Sequence, residues 1–370
     1  MVLGAVVGIV ALAAMLSGGC AQLDYYAQAA HGQLALLSDA RPIDDWLADP
    51  AVNAKLRAKL IKAKQIRRYA AQELGLPDNQ SYKSYADLKR PYVIWNVVAT
   101  PELSMEQRKW CFPVAGCVSY RGYYSKADAQ SYASGLRQDG LDVQVAGVPA
   151  YSTLGWFNDP VLSTFIQYPD AELARLVFHE LAHQVVYVQD DTQFNESFAT
   201  AVEEAGVERW LVAQGDPRLR QIHVEYESRK QDFLDLLLKH RRALEANYAR
   251  SAPDDEKRQR KAEIFRALQD DYHVLKMTWG GYAGNDRWFA EPLSNAHLAS
   301  VATYHDFVPG FRMLLEKEKT FSRFYAAARR LADMDKVERH QQLALLGEHV
   351  KPAERLIPVM LPRASTTPAP

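Results

Sequence analysis

The chain has 370 residues, 48% of them hydrophobic and 24% charged, which is the composition of a globular protein long enough to bury a large core. Its 44 basic and 45 acidic residues give a formal net charge of −1. No basic field is available to attract nucleic acid, and we therefore exclude nucleic acid as a partner.

The first twenty residues predict export. Val2 to Leu16 is uncharged and apolar, too short for a membrane-spanning helix and of the length of a signal-peptide core. The run ends in Leu16-Ser17-Gly18-Gly19-Cys20, which resembles a bacterial lipoprotein cleavage site. Basic residues do not precede the core, and Ser17 stands where such sites usually carry Leu, so secretion and an uncleaved anchor remain alternatives. We expect residues 1–20 to be a signal peptide, with lipidated Cys20 holding the protein on the periplasmic side of a bacterial membrane.

Two further cysteines agree with export. Cys111 and Cys117 are six residues apart, and Pro113 and Gly116 predict a turn between them. A short disulfide loop is feasible, and two free buried thiols are the alternative. Two cysteines without a nearby histidine cannot complete a tetrahedral zinc site.

Residues 21–90 are predicted to form an N-terminal helical segment. The first helix runs from about Leu23 to Leu37, and the second runs from about Pro50 to Leu74. Apolar residues recur at helical spacing along the second helix, and Gly75 is a good stop residue.

Residues 91–215 are predicted to form a catalytic α+β unit. The pattern predicts one amphipathic helix among four strands, before a buried helix near residue 180. The strands are Tyr92–Ala99, Val118–Tyr124, Leu141–Val148 and Ala150–Phe157, and the amphipathic helix is Lys126–Gln138. A small sheet beside a long helix follows from this order.

Residues 216–362 are predicted to be helical and to complete a cleft, before a disordered tail at 363–370. Predicted helices over the second half of the chain are Asn195–Gln214, Arg218–Asn247, Glu256–Met277, Leu293–Val301, Val308–Lys317 and Phe321–Leu331. The two longest are highly charged and predict an αα-hairpin with a solvated outer face, which we favour over a coiled-coil partner site. The fold class is therefore α+β and mostly helical.

The segment from His179 to His183 carries the strongest chemical signal. It fits H-E-x-x-H, and residues four apart lie on one face of a helix, so His179 and His183 can bind one ion. Two imidazole ligands with Glu180 as general base are typical of zinc hydrolases. The flanking apolar residues predict a buried helix, in which unpartnered histidines would be costly.

A third zinc ligand is predicted at Glu196. It begins a new helix thirteen residues after His183, and a helix that turns back can bring its first-turn carboxylate to the metal. Asn195 is predicted to cap this helix. Glu203 and Glu204 are competing candidates, and Glu203 lies about two turns beyond Glu196, where it could support the ligands.

The segments HELAHQ and NESFA resemble the gluzincin metallopeptidases, which carry H-E-x-x-H and then N-E-x-x-[AS] on the next helix. The connection is several residues shorter here. The chain more closely resembles a bacterial family of predicted aminopeptidases, typically lipoproteins, from about Leu74 to Phe311. That resemblance rests on LGLPDNQSY, YVIWNVVATPE, WCFPVAGCVSYRGYY, AYSTLGWFNDPVLST, FHELAHQVVYVQDD, FNESFATAVE and LSNAHLASVATYHDFVPGF.

The resemblance implies a zincin-like fold and a peptidase with Zn²⁺ bound by His179, His183 and Glu196, acting on a peptide or protein substrate. It also implies an oxyanion donor from the C-terminal half, for which the candidates are Tyr304, His305, Tyr282 and His297, with Tyr304 favoured. The strand predicted at Tyr151–Phe157 would bind the substrate backbone, with Trp156 or Phe157 walling a subsite.

Three functions remain open from the sequence. The first is an aminopeptidase, although the G-[AG]-M-E-N strand that binds the substrate amine in the best-known zinc aminopeptidases is absent. Glu203, Glu204, Asp190 and Asp191 could serve instead. The second is an envelope endopeptidase or a non-peptidase hydrolase on the same scaffold. The third is a non-catalytic envelope lipoprotein with a structural metal.

Overall fold

The computed structural model describes residues 24–112, 116–301 and 307–348. The predicted signal peptide, Cys20, Tyr304, His305 and the tail lie outside these ranges. The fold class is confirmed, because long helices surround three small sheets.

The helices and strands of the first half are α1 (24–38), β1 (Arg41–Pro42), α2 (Ile43–Ala48), α3 (Ala54–Gln72), β2 (Ser84–Ala86), β3 (Ile94–Pro101), β4 (Trp110–Phe112), β5 (Gly116–Val118), β6 (Arg121–Tyr123), α4 (Lys126–Gln138), β7 (Leu141–Val148) and β8 (Val161–Leu162). Those of the second half are α5 (Asp170–Ala182), α6 (Thr192–Gln214), α7 (Pro217–Tyr248), α8 (Asp254–Thr278), a 3-10 turn (Asp286–Phe289), α9 (Asn295–Ala299), α10 (Val308–Glu318), α11 (Phe321–Ala332) and α12 (Lys336–Glu348).

The main sheet has the order β6-β3-β7 and is antiparallel throughout. Strand β3 pairs with β7 over its whole length, from Ile94 opposite Val148 to Pro101 opposite Leu141. Helix α4 covers one face, where Ala129, Ala133 and Leu136 pack in a cluster with side chains of β3 and β7. The predicted bounds of α4 and β7 are confirmed because period-3.6 and period-2 patterns are both unbroken there.

The largest core cluster surrounds α5 and α6 and takes in apolar side chains from α3, α10 and α11. Phe198 of α6 stacks on Phe324 of α11 with ring centroids 5.7 Å apart, and Phe311 of α10 lies edge-on to Phe198 at 5.6 Å. Helices α7 and α8 form the predicted hairpin over a separate core cluster, which also contains Leu298 and Ala299 of α9. The two helices with the predicted zinc ligands are therefore held from several sides.

Two strand predictions were wrong. Residues 151–157 form a turn, in which Leu154 and Gly155 have φ values of 57° and 82° in the left-handed region. A chain in that conformation cannot continue a pleated strand. The predicted strand Val118–Tyr124 breaks at Ser119 and Tyr120 into β5 and β6, which join different sheets. Helices α2 and α12 were not predicted.

Cys111 and Cys117 form a disulfide and lie directly opposite one another in the β4–β5 hairpin. The backbone N–H of Cys117 donates a hydrogen bond to the carboxylate of Asp190 in the turn between α5 and α6. The disulfide hairpin thus lies against the connection between the two helices of the predicted site.

Candidate metal centre

The H-E-x-x-H segment occupies the C-terminal end of α5. The helix begins after Pro169, with Asp170 and Glu172 favourably placed in its first turn, and it ends at Ala182. His183 is therefore the C-cap residue, and its backbone N–H still donates to the carbonyl of His179. The histidines keep the helical spacing that brings both rings to one face.

Helix α6 begins earlier than predicted. Its N-cap is Asp191, whose side chain accepts from the backbone N–H of Phe194, so the prediction of Asn195 as N-cap was wrong. The side chain of Asn195 instead ties both backbone groups of Val188, at 2.8 Å to its N–H and 2.7 Å to its carbonyl. These bonds fix the turn that folds α6 back onto α5 and carries Glu196 to the histidines.

Three side chains converge at the end of this turn. Oε2 of Glu196 lies 3.2 Å from Nε2 of His179 and 3.7 Å from Nε2 of His183, and the two Nε2 atoms are 3.2 Å apart. Ligands bound about 2.1 Å from a tetrahedral zinc ion lie roughly 3.4 Å from one another. The spacing of all three predicted ligands therefore fits one such ion.

Glu203 lies about two turns beyond Glu196 on α6 and supports this cluster. Its Oε2 lies 2.8 Å from Nδ1 of His179. Arg175 holds the same carboxylate at 3.1 Å and also bonds Glu172 at 2.8 Å. Carboxylates behind metal-binding histidines orient the ring and raise its basicity, which is the role predicted for Glu203.

The charges of the site act strongly on one another. Burial alone would lower the pKa of His179, but Glu203 and Glu196 outweigh it and raise that pKa to about 10. Burial, together with positive His179, lowers the pKa of His183 to about 4 in spite of Glu196. Burial would raise the pKa of Glu196, but the two histidines hold it below its ordinary value. The site thus gathers negative charge around imidazoles, as a cation site requires.

Glu180 lies beside the cluster, and different effects set the pKa of its carboxyl group. Burial raises the pKa of its carboxyl to about 7, with contributions from Glu196, Asp159 and Glu203 and against the effect of His179. A carboxyl group with a pKa near neutrality can accept and return a proton at neutral pH, which is what a general base requires.

The candidates for an oxyanion donor are not gathered at the cluster in the part of the chain that the structure describes. His297 forms the capping box of α9, where its Nδ1 lies 3.1 Å from the backbone N of Ser294. Tyr282 stacks with Arg229 of α7, whose guanidinium lies 4.7 Å from the ring centre. Tyr304 and His305 lie outside the described residues.

Two tyrosines near the cluster were not singled out by the sequence. Tyr120 follows the disulfide hairpin, and desolvation of its hydroxyl, followed by Glu196, Tyr187 and Glu180, raises its pKa above the ordinary range. Burial and then Glu196 likewise raise the pKa of Tyr187. The signal that could have found Tyr120 is its position just after Cys117, because the disulfide hairpin lies on the turn that joins the ligand helices.

The fold and the site together define a mostly helical α+β protein in which two antiparallel helices bring an H-E-x-x-H segment and a glutamate to one point. The chain belongs to the family described as "Putative aminopeptidase", whose model matches residues 24–343. The family supports a peptidase-like function. No curated protein and no solved structure matches the chain.

Among the described residues, none of the helices is both long enough and apolar enough to span a membrane.

Proposed function

We propose that this protein is a zinc-dependent peptidase, and specifically an aminopeptidase. The observation that supports this most is the convergence of His179, His183 and Glu196, whose facing atoms are 3.2 to 3.7 Å apart. A catalytic zinc takes three such protein ligands and keeps a fourth position open, whereas a structural zinc is closed by four. No fourth His, Cys, Asp or Glu joins this group among the described residues. The alternative of a structural metal is therefore less favoured.

The roles follow from the positions of the side chains. When bound, zinc would lower the pKa of a water ligand and polarise the substrate carbonyl. Glu180 accepts the proton of the attacking water and returns it to the leaving amine. Glu203 orients His179, and Arg175 keeps Glu203 ionised, since burial would raise the pKa of Glu203 but Arg175 and then His179 hold it at about 2.

The donor to the developing oxyanion stays a prediction. Tyr304 and His305 precede Phe307, whose backbone N–H donates to Oγ of Ser197, the residue next to Glu196. Phe307 therefore contacts the residue that follows the predicted ligand Glu196. Tyr120 is the competing donor, because it follows the disulfide hairpin that lies against the connection between the ligand helices, and Glu196 and Glu180 both contribute to raising the pKa of its phenol. Tyr304→Phe and Tyr120→Phe, each measured as kcat and KM, distinguish the two.

The turn 151–157 supplies an aromatic surface beside the site. Trp156 is 74% exposed and Phe157 is 46% exposed, and Gly155 packs near the side chain of Gln184, the residue after His183. Asp159 holds the turn closed by accepting from both the backbone N–H and the hydroxyl of Thr153. We propose that these aromatics contact an apolar substrate side chain.

An endopeptidase is the second candidate, because each carboxylate considered for the substrate amine already has a partner. Glu203 pairs with Arg175, and Glu204 pairs with Arg312 at 2.7 Å. Asp190 accepts from the backbone of Cys117, and Asp191 caps α6 while pairing with Arg339 at 2.8 Å. These four carboxylates already bind other groups of the protein, which makes them less suitable for binding a substrate amine.

Two experiments test the function. The first compares zinc content and peptide hydrolysis of the wild type, Glu180→Gln and His183→Gln. We expect Glu180→Gln to retain zinc and lose at least about 100-fold in kcat, consistent with removal of a general base. The Glu180 assignment is wrong if that variant keeps zinc and full activity. The second offers matched peptides with free and acetylated N-termini. Removal of single N-terminal residues from the free peptides alone supports the aminopeptidase, and internal cleavage of blocked peptides supports the endopeptidase.

We also propose that the protein is a lipoprotein on the periplasmic side of a bacterial membrane, as the residues before Cys20 predict. Metabolic labelling with palmitate should mark the wild type and not Cys20→Ser. Unlabelled wild-type protein that is recovered in the soluble periplasmic fraction would instead indicate plain secretion.

A further inference from the structure

A second cluster of metal-ligating side chains lies between α5 and α7. Glu172 stands in the first turn of α5, and His223 and Glu227 stand four residues apart on α7, so their side chains share one face of that helix. One potential ligand atom from each of the three lies within 4.8 Å of the others. In the described part of the chain, this is the one such group besides His179, His183 and Glu196.

The hydrogen bonding of this cluster is incomplete. Glu172 is 4% exposed, and its Oε1 is buried without a hydrogen-bond partner among the described residues. Nδ1 of His223 is also buried and equally without a partner. A buried polar atom without a partner destabilises the fold, and a charged one does so more strongly. Two such atoms at one place, both of types that bind metals, point to a ligand that completes them.

The neighbouring charges leave room for a cation. Arg175 holds the other oxygen of Glu172 at 2.8 Å, and Lys230 lies 3.4 Å from Glu227. Arg175 is shared with Glu203. It engages only Oε2 of Glu172 and leaves Oε1 without a hydrogen-bond partner among the described residues. Glu227 is one-third exposed, which gives an ion a path from solvent.

We propose that Glu172, His223 and Glu227 bind a second divalent cation, a first-row transition ion such as Mn²⁺ or Zn²⁺. Two carboxylates and one imidazole form a mixed oxygen and nitrogen donor set that suits these ions, with water completing the shell. The ion cross-links the helix that carries H-E-x-x-H to the long hairpin helix α7. Arg175 connects the two sites, because it contacts both Glu172 here and Glu203 behind His179. This inference does not depend on the proposed peptidase function.

The test is metal stoichiometry. Wild-type protein is stripped with a chelator, reloaded separately with MnCl₂ and ZnCl₂, desalted and assayed for bound metal. We expect two equivalents in the wild type with at least one of the two ions, one in His223→Gln/Glu227→Gln and one in His179→Gln/His183→Gln. The matched control is Glu225→Gln, on the same helix between the two ligands; Glu225 is exposed and accepts a hydrogen bond from Gln221, and this variant should bind two equivalents.

A wild type that binds one equivalent of either ion, with that equivalent lost in the His179/His183 variant and kept in the His223/Glu227 variant, overturns the inference. So does a second equivalent that survives in the His223/Glu227 variant. If circular dichroism shows that the double variant does not fold, Glu227→Gln alone and the wild-type stoichiometry decide. A wild type that binds one equivalent, kept in the His179/His183 variant and lost in the His223/Glu227 variant, would count against the peptidase and would support this site.

The Mn²⁺ electron paramagnetic resonance spectrum gives a second readout that does not rely on activity. In the His179→Gln/His183→Gln background, the signal of bound Mn²⁺ should persist, and adding Glu227→Gln should abolish it. A cross-link between α5 and α7 should also raise the thermal midpoint of the His179/His183 variant when Mn²⁺ is added. No change in either measurement would contradict the proposal.

Discussion

Replacing Glu203 by glutamine tests whether the support behind His179 governs the metal centre. Glu203 is 2% exposed, lies 2.8 Å from Nδ1 of His179 and pairs with Arg175 at 3.1 Å. Glutamine has almost the same volume and removes the charge and one acceptor oxygen, so the packing of α6 is retained. The variant therefore isolates electrostatics from cavity effects.

The magnitude follows from the burial and from the partners. The pKa of Glu203 is about 2 against an ordinary value of 4.5, which corresponds to about 3 kcal/mol. Breaking a buried ion pair costs about 3–5 kcal/mol. We expect Glu203→Gln to lower the free energy of unfolding by about 3 kcal/mol, the lower end of that range, because Arg175 keeps its contact with Glu172. Loss of a group that orients a metal-binding histidine weakens metal affinity by about 10- to 100-fold.

The assays are urea unfolding of the metal-free protein at pH 7 and zinc binding in competition with a chromophoric chelator. Glu204→Gln is the matched control, because Glu204 is the next residue on α6 but pairs with Arg312. We expect the control to bind zinc as the wild type does. If Glu203→Gln binds zinc with wild-type affinity, or if Glu204→Gln weakens binding equally, the assignment of Glu203 to the support of His179 is refuted.

Three further predictions concern a histidine of α9, the exposed turn and the connection between α5 and α6. Burial lowers the pKa of His297 to about 4, so the folded protein keeps this imidazole neutral at pH 7. The contribution of neutral His297 to the free energy of unfolding is full above pH 6.5, and it falls by about 3 kcal/mol as the pH drops towards 4. NMR titration of this imidazole and unfolding of His297→Gln check this, and a titration near pH 6.5 would contradict it. Trp156→Ala should raise KM for peptides with an apolar side chain by about 10-fold, the effect of losing part of an apolar contact, and leave kcat and thermal stability unchanged because the ring is 74% exposed; an unchanged KM would remove Trp156 from the substrate site. Asn195→Ala should cost about 2 kcal/mol in urea unfolding, because two backbone groups of Val188 lose their partners, and a cost below about 0.5 kcal/mol would contradict this.

Local patterns predicted the helices well where packing agrees with periodicity. The bounds of α4 and β7 were predicted to the residue, since the apolar residues recur at helical spacing in α4 and alternate with polar ones along most of β7. The turn at Leu154 and Gly155 was not predicted, because Tyr151, Thr153 and Trp156 are residues of types that are common in strands. The turn is fixed instead by Asp159, whose carboxylate bonds Thr153 six residues earlier.

The start of α6 is a second feature that the local sequence did not predict. Asn195 is a good N-cap residue by type, and its sequence neighbourhood allows a helix to begin there. Asp191 takes the position because Arg339 and His340 of α12 hold its carboxylate, at 2.8 and 2.9 Å. Those partners are almost 150 residues away along the chain, so local sequence could not reveal them.

The sequence by itself determined which residues could form a metal site. The spacing of His179 and His183 and the nature of Glu180 follow from helical geometry and side-chain chemistry alone. Only the tertiary structure decided that Glu196 reaches both histidines, that Glu203 lies behind His179, and that Glu172 meets His223 and Glu227 across two helices. The reason is physical: ligands within one helix are set by a local repeat, whereas ligands from different helices meet only after turns, caps and core packing have fixed how those helices cross.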